Sequence, residues 1–360
     1  MPNAQEYAEQ LHEKCTRIQQ LLAPYSPPNP KIYESPLEHF RMRVEFRVWH
    51  DDDECFFVMF PPGKKQQPYR VDQFPMATKA INRLMVELLP ALQPNNLLRE
   101  RLFQVEFLST LADDCLVTLI YHKALDDHWQ RAAEAMRKTL GVELIGRSRR
   151  QKLVLDKDYL VETLNVNGKD FHYKQIENSF TQPNARVNEK MLQWAQDCTR
   201  DNYADLLELY CGNGNFSVAL AQNFRKVLAT EVNKSALQAA QFNAQENAIT
   251  NITCARLSAA EVSQALHNER EFRRLQSTNL ADYDFSTVFV DPPRSGLDPA
   301  TLRFVSEFEQ IVYISCSPQS LAGNLETLSQ THEIKSFAIF DQFPYTPHIE
   351  SGVILQVRDS

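Results

Sequence analysis

The stretch Asp205-Leu-Leu-Glu-Leu-Tyr-Cys-Gly-Asn-Gly-Asn-Phe-Ser217 contains an apolar strand, a glycine loop and the start of a helix. Gly212 and Gly214 permit the tight turn and let backbone amides approach a ligand closely. Ser217 stands where a dinucleotide-binding fingerprint has its third glycine. The stretch therefore favours an α/β fold that binds a nucleoside cofactor. A NAD-dependent enzyme is disfavoured, and we keep it as the most distant alternative.

The alternation of strand and helix continues on the C-terminal side of this stretch. Each of four further predicted strands is followed by a helical stretch, and two last strands close the chain; the six cover residues 226–231, 251–256, 284–290, 310–315, 334–340 and 352–357. Regular strand–helix alternation is typical of a doubly wound parallel sheet, which binds ligands at the carboxyl ends of its strands. We therefore predict a Rossmann-like domain over residues 177–360.

Residues 1–176 have a different pattern, with strands and helices in irregular order. The periodicity predicts helices over 3–24, 77–92 and 126–140, and strands over 41–49, 55–60, 102–108, 115–122, 142–145 and 152–155. This is typical of an α+β domain. In its first strand, Arg43 and Arg47 share a face with Trp49. That face suits RNA, because guanidinium groups hold phosphates and flat rings stack on unpaired bases; an ordinary solvated face is the alternative.

The composition is that of a soluble protein with two domains: 360 residues, of which 43% are hydrophobic and 23% charged. No apolar run approaches the roughly 18 residues of a membrane span, and the N-terminus lacks signal-peptide features. Seven widely spaced cysteines without a CxxC pair argue against disulfides, a zinc site and an iron–sulfur cluster. We therefore expect reduced thiols in a cytoplasm and no metal. With a net charge of -8, RNA binding would need a local basic surface.

Cys316 ends the apolar strand in Ile311-Val-Tyr-Ile-Ser-Cys-Ser-Pro-Gln319, and Pro318 suits the start of a helix. The thiol is thus predicted at the carboxyl end of a parallel strand, although a small buried hydrophobe is the usual role of a free cysteine. Glu231 ends the strand after the glycine loop, where a carboxylate can accept both ribose hydroxyls of an adenosine. Together with the glycine loop, Glu231 points to S-adenosylmethionine as the cofactor.

Two loops complete the candidate site. In Asp291-Pro-Pro-Arg-Ser-Gly296, Arg294 replaces the aromatic residue that amino-group methyltransferases stack on a base, so methylation of an exocyclic amine is disfavoured. The loop Asp341-Gln-Phe-Pro-Tyr-Thr-Pro-His-Ile-Glu350 ends in a carboxylate, which could also be a plain exposed acid. A thiol and a carboxylate suit methylation of uracil carbon 5. Addition of a thiolate to carbon 6 makes carbon 5 nucleophilic, and a base then removes the carbon 5 proton.

These motifs, in this order, resemble the RNA uracil-5 methyltransferases. The residues that carry the resemblance are Asn178-Ser-Phe-Thr-Gln-Pro-Asn184, Glu208-Leu-Tyr-Cys-Gly-Asn-Gly-Asn-Phe216, Asp291-Pro-Pro-Arg-Ser-Gly296, Ile314-Ser-Cys316 and the loop ending at Glu350. The resemblance implies a class I S-adenosylmethionine-dependent methyltransferase domain preceded by an α+β RNA-recognition domain. It is strongest to the bacterial branch that acts on tRNA, since members acting on ribosomal RNA typically add a barrel and a cysteine-ligated iron–sulfur cluster.

The resemblance also implies roles for individual residues. Cys316 would be the nucleophile and Glu350 the proton acceptor, and the cofactor contacts would be Gln182, Tyr210, Asn215, Glu231 and Asp291. The implied product is 5-methyluridine at uridine 54 in the T-loop of tRNA and at the equivalent uridine of transfer-messenger RNA. We expect a monomer.

Three residues of the N-terminal domain are predicted to contact RNA: Arg43, Arg47 and Phe103. The resemblance suggests that Phe103 stacks on a loop base, while a place in the core is the alternative.

Two departures from the family pattern lie beside the proposed nucleophile and base. Ser317 stands where the family usually has asparagine, and Ser351 stands where cysteine commonly follows the glutamate. Both leave open how the uracil is oriented. A ribosomal RNA uracil-5 methyltransferase, and a tRNA-folding module in which methylation is secondary, are the alternatives to a tRNA methyltransferase.

Overall fold

The computed structural model describes residues 3–52, 54–61, 63, 67–200, 202–276 and 278–358. Contacts within it divide the chain into two compact units. The first contains Pro36–Thr163 and Gln175–Ala185, and the second contains residues 3–35, Leu164–Lys174 and residues 186–358. This grouping differs from a single cut near residue 176, because the N-terminal helix belongs to the same unit as the C-terminal half.

The helices and strands are numbered in chain order. The α-helices are α1 (Ala4–Leu22), α2 (Lys79–Leu92), α3 (Asn96–Arg99), α4 (Asp127–Leu140), α5 (Ala185–Cys198), α6 (Asn215–Leu220), α7 (Lys234–Glu246), α8 (Ala259–Leu266), α9 (Pro299–Val305) and α10 (Pro318–Leu328). The strands are β1 (Lys31–Tyr33), β2 (Arg43–Asp51), β3 (Glu54–Met59), β4 (Tyr69–Arg70), β5 (Leu102–Ser109), β6 (Cys115–Tyr121), β7 (Glu143–Ser148), β8 (Gln151–Val154), β9 (Tyr159–Val166), β10 (Lys169–Ile176), β11 (Asp205–Leu209), β12 (Val227–Thr230), β13 (Ile252–Ala255), β14 (Phe285–Val290), β15 (Gln310–Ser315), β16 (His332–Phe340) and β17 (Glu350–Val357).

The first unit is built on a sheet with the strand order β4-β3-β2-β5-β6-β7-β8. Helices α2 and α4 share one hydrophobic core with this sheet. Strand β2 contributes Val44, Phe46 and Val48 to that core. Because side chains alternate along a strand, Arg43 and Arg47 lie on the opposite face of β2. The strands and helices predicted for this part of the chain are present.

A hairpin of β9 and β10 was not predicted. Asn167 and Gly168 form its turn, with φ of 51° and 81°. Positive φ at both central positions is the geometry of a type I′ turn, for which an Asn-Gly pair between strands is a strong signal. The sequence therefore contained the evidence for this hairpin.

The second unit is built on a sheet with the strand order β1-β16-β17-β15-β14-β11-β12-β13. Strands β11 to β15 run parallel, and β17 is antiparallel to both of its neighbours. The chain proceeds from β11 to β12 on one side and later returns to β14 on the other. This is a topological switch point, where such sheets bind ligands. The predicted Rossmann-like fold is confirmed, with β1 as an unpredicted edge strand. Among the described helices, none has the length and apolarity needed to span a membrane.

Candidate active site

Five predicted site residues lie at one edge of the sheet of the second unit. Tyr210 follows β11, Glu231 follows β12, Asp291 follows β14 and Cys316 follows β15. These strands are parallel, so their carboxyl ends share an edge. Glu350 begins β17, and because β17 is antiparallel to β15, its start lies at that same edge.

The register of β15 and β17 places the thiol next to the carboxyl group. Ser315 pairs with Ser351 across the two strands, so Cys316 and Glu350 are the adjoining residues at the edge of the sheet. The Cys316 side chain is partly exposed, whereas Glu350 is buried. A substrate could therefore reach the thiol while the carboxyl group remains shielded from water.

The electrostatics of this pair involve Asp291 and Arg294. Burial raises the pKa of the Cys316 thiol, the charges of Glu350 and Asp291 raise it further, and Arg294 lowers it. Burial and Asp291 likewise raise the pKa of Glu350, again opposed by Arg294. Burial raises the pKa of Asp291 to about 7. Arg294 is thus a cation that offsets the accumulation of negative charge here, a role that the sequence analysis missed.

The turn after the thiol is held by three serines. The Ser315 hydroxyl donates to the carbonyl of Ser317 at 3.0 Å and accepts from its backbone N–H at 3.2 Å. Ser317 caps α10 by accepting from the N–H of Ser320, with Pro318 in the first turn as predicted. The Ser320 hydroxyl donates to the carbonyl of Arg294 at 2.6 Å, which links the two loops. Serine is a favoured N-cap residue, so Ser317 caps the helix even though the family usually has asparagine at this position.

The glycine loop has the conformation that a nucleoside site requires. Gly212 and Gly214 have φ of 56° and 76°. A Cβ atom at Gly214 would lie 3.2 Å from the Cβ of Ala240, while one at Gly212 would meet nothing within 4 Å. Glu231 accepts hydrogen bonds from the backbone N–H groups of Gly212, at 3.2 Å, and Asn233, at 2.7 Å. An open loop surface beside an anchored carboxylate fits an adenosine with its ribose hydroxyls.

Beneath the loop, Ser217 has a role that the sequence analysis missed. Its hydroxyl donates to the carboxyl group of Glu208, and both residues are buried. Burial raises the pKa of Glu208 to about 8, although the Ser217 hydrogen bond opposes this. Ser217, which stands in place of the third glycine, therefore orients the buried Glu208 carboxyl group of β11 by a hydrogen bond.

The remaining predicted cofactor residues differ in their surroundings. Tyr210 has a φ of 60°, a conformation that is uncommon outside glycine and that clusters at functional sites. Asn215 exchanges two 2.9 Å side-chain hydrogen bonds with Asn188 of α5, which orient its amide. Gln182 belongs to the first unit, where its Oε1 is buried and has no hydrogen-bond partner among the described residues. The cofactor roles of all three residues remain predictions.

The predicted RNA contacts belong to the first unit and are of two kinds. The Arg47 guanidinium lies 3.6 Å from the centroid of the Phe103 ring, and the His122 ring stacks on Phe103 at 4.0 Å. Phe103 is partly exposed rather than in the core, and Arg47 and His122 are exposed. Arg43 instead donates to the carbonyl of Ser179 at 2.6 Å, so its guanidinium already holds the backbone. His122, which directly follows β6, was not among the predicted RNA contacts.

Comparisons with known proteins agree on one family. The family model for tRNA (Uracil-5-)-methyltransferase matches residues 6–358. A tRNA/tmRNA (uracil-C(5))-methyltransferase of Aggregatibacter aphrophilus is 54% identical over 354 residues, covering 97% of each chain. A protein of the same name from Vibrio vulnificus is 53% identical, covering 98% of each chain.

The fold also resembles that of a solved structure. A Pyrococcus abyssi tRNA (uracil-54, C5)-methyltransferase, solved with S-adenosyl-L-homocysteine, has a TM-score of 0.75 and 20% identity. The match covers 97% of this chain and 83% of that one.

Proposed function

The chain belongs to the tRNA (uracil-5-)-methyltransferase family, and we propose that it methylates carbon 5 of uridine 54 in the T-loop of tRNA, using S-adenosylmethionine. The names of its relatives support the same reaction on transfer-messenger RNA. The observation that carries the proposal is the adjacency of Cys316 and Glu350 at the edge of the sheet. Carbon 5 of uracil needs both a nucleophile that activates it and a base that restores it.

In the first step, the partly exposed Cys316 thiol releases its proton to solvent, and the thiolate sulfur forms a bond to carbon 6 of uracil. The electron pair of the carbon 5–carbon 6 double bond moves into an enolate, so carbon 5 becomes nucleophilic. When bound, S-adenosylmethionine would supply the electrophilic methyl group that carbon 5 attacks, and would leave as S-adenosylhomocysteine. Tyr210, Asn215, Glu231 and Asp291 of the second unit would hold this cofactor, and the role of Gln182 remains a prediction.

In the second step, the Glu350 carboxylate takes the proton from carbon 5. The double bond between carbons 5 and 6 re-forms, and the bond from carbon 6 to sulfur breaks to release Cys316 as a thiolate. Burial and Asp291 raise the pKa of Glu350, which makes its carboxylate a stronger base once it is ionised.

We expect replacement of Arg294 by methionine to shift the pH dependence of adduct formation. Arg294 lowers the pKa of Cys316, so its loss leaves less thiolate at neutral pH. The rate of adduct formation should therefore fall near pH 7, by up to about tenfold, and recover at higher pH, where the thiol ionises. The measurement is the rate of covalent trapping by 5-fluorouridine RNA as a function of pH. Arg294→Lys keeps the positive charge and should behave nearly as the wild type does. An equal loss of rate at every pH in Arg294→Met would contradict the proposed effect of Arg294 on the thiol pKa.

Phe103→Ala is expected to weaken tRNA binding by about ten- to a hundredfold, because one aromatic–base stack contributes roughly 1–3 kcal/mol. Phe103→Tyr keeps a ring and should bind nearly as the wild type does. Affinity measured by filter binding, with cofactor affinity as the control, tests this. Unchanged binding of Phe103→Ala would remove the Arg47–Phe103–His122 stack from the proposed RNA surface.

The proposed function is tested by offering the enzyme unmodified tRNA, transfer-messenger RNA and ribosomal RNA in parallel with labelled S-adenosylmethionine. We expect 5-methyluridine in tRNA and transfer-messenger RNA, at the T-loop uridine. Label in ribosomal RNA alone would favour the ribosomal alternative, and the absence of 5-methyluridine would overturn the proposal. The folding alternative predicts that a catalytically inactive variant keeps most of the biological effect.

We further propose that the enzyme works as a monomer in the cytoplasm. Its mass in solution, measured by light scattering with and without tRNA, tests the first part, and cell fractionation tests the second.

A further inference from the structure

Helix α1 carries a polar stripe that contacts the connection between β16 and β17. The stripe consists of Tyr7, Gln10, Lys14 and Arg17, which are separated by three, four and three residues and so share one face of the helix. Residues 341–349 form the connection, and Glu350 follows it directly.

The centre of the stripe is a buried ion pair. Lys14 Nζ lies 2.9 Å from Asp341 Oδ1 and donates a second hydrogen bond to the carbonyl of Phe343 at 3.1 Å. The side chains of Lys14 and Asp341 are 3% and 0% exposed. Removing two charges from water is costly, and hydrophobic residues of similar volume often pack as stably. Packing of α1 alone therefore does not require this pair.

The rest of the stripe holds the backbone of the connection further along. Gln10 Oε1 accepts from the N–H of Tyr345 at 2.8 Å, and Arg17 donates to the carbonyl of Pro347 at 2.8 Å. The ring of Tyr7 packs on that of Tyr345 at 5.9 Å. Tyr345 has a φ of 61°, a strained conformation that persists only where its surroundings hold it.

The stripe thus holds every second residue of the connection, from Asp341 to Pro347. Most of the apolar burial of the helix comes from residues outside the stripe, Leu11, Cys15, Ile18 and Leu22, and the Tyr7 ring is buried as well. We propose that the polar stripe of α1 positions Glu350, by fixing the backbone segment that enters β17 at that residue. This inference rests on the proposed function, in which Glu350 is the base.

Loosening the polar stripe should affect one chemical step, the removal of the carbon 5 proton. Cys316 directly follows β15, and its turn is held by Ser315 and Ser317, so thiol addition and methyl transfer should not depend on the connection. Removal of the carbon 5 proton depends on the connection, because proton transfer requires the Glu350 carboxylate within hydrogen-bonding reach. Loosening the stripe should therefore make deprotonation rate-limiting, and the covalent methylated adduct should accumulate.

The test is the double variant Gln10→Ala/Arg17→Ala. Arg17 is exposed and Gln10 is partly exposed, so neither change leaves a cavity in the core. The matched control is His12→Ala/Gln19→Ala, which removes two exposed side chains from the other side of the same helix. Lys14→Met is a second test variant, which replaces the buried charge by an apolar side chain of similar length. Melting temperatures of all variants report on folding.

We expect turnover of the double variant to fall about 10- to 100-fold, the loss that a misplacement near 1 Å produces. Substrate deuterated at carbon 5 should then react more slowly than protonated substrate, with a larger isotope effect than in the wild type. The KM for the cofactor should stay unchanged, and the control should match the wild type. Unchanged turnover, or a slower reaction without the larger isotope effect and adduct, would overturn the inference. Failure of the proposed function is distinct, because the wild type would then form no adduct with 5-fluorouridine RNA.

Discussion

Cys316→Ala should lose methylation of tRNA, with a fall in turnover of about 10⁴-fold or more, as is typical when a covalent nucleophile is removed. Without the thiol, no bond forms to carbon 6, and carbon 5 of uracil stays too weak a nucleophile to attack a methyl group. The variant should also form no covalent complex with 5-fluorouridine RNA. In that substrate fluorine replaces the carbon 5 proton, so the wild-type adduct cannot be resolved by a base.

The local structure indicates that this variant keeps its fold and its binding sites. The turn around residue 316 is held by the hydroxyl and backbone groups of Ser315, Ser317 and Ser320, and none of these bonds uses the thiol. Binding of tRNA and cofactor should therefore remain within a few fold of the wild type. Cys198→Ala is a matched control, since Cys198 is another partly exposed free thiol of the second unit. Normal methylation by Cys316→Ala would exclude the covalent mechanism.

The sequence allowed the strands, the glycine loop and the position of Cys316 to be predicted, because each depends on residues close together in the chain. A strand shows its period of two within a few residues, and a proline after the strand marks where the helix begins. The Asn-Gly turn of β9 and β10 was equally local and was overlooked.

Other features depend on which distant segments meet. The adjacency of Cys316 and Glu350 requires β17 to lie between β15 and β16, and an alternating pattern does not specify a strand's neighbours. Lys14 and Asp341 are 327 positions apart, and nothing near either residue indicates the other. The influence of Arg294 on the thiol likewise follows from the meeting of two loops, which only the folded chain provides.

Glu350→Gln is predicted to separate the two chemical steps. Glutamine has nearly the same shape as glutamate but cannot take a proton at neutral pH, so the carbon 5 proton stays in place after methyl transfer. We expect one methyl group to be transferred per enzyme molecule, followed by turnover about 10²- to 10⁴-fold slower than in the wild type. The methylated RNA should remain covalently bound to the protein, visible as a shifted band on a denaturing gel with ordinary tRNA.

The electrostatics of the site sharpen this expectation. The charge of Glu350 raises the pKa of the Cys316 thiol, and its replacement by a neutral amide removes that effect. The thiolate fraction at neutral pH should therefore rise, and the first step should be as fast as in the wild type or faster. Loss of adduct formation in Glu350→Gln would contradict this, and would mean that the carboxylate is needed earlier, to take the proton of the thiol. Full turnover would instead show that another group removes the carbon 5 proton, and the adjacency of Cys316 and Glu350 would no longer explain the chemistry.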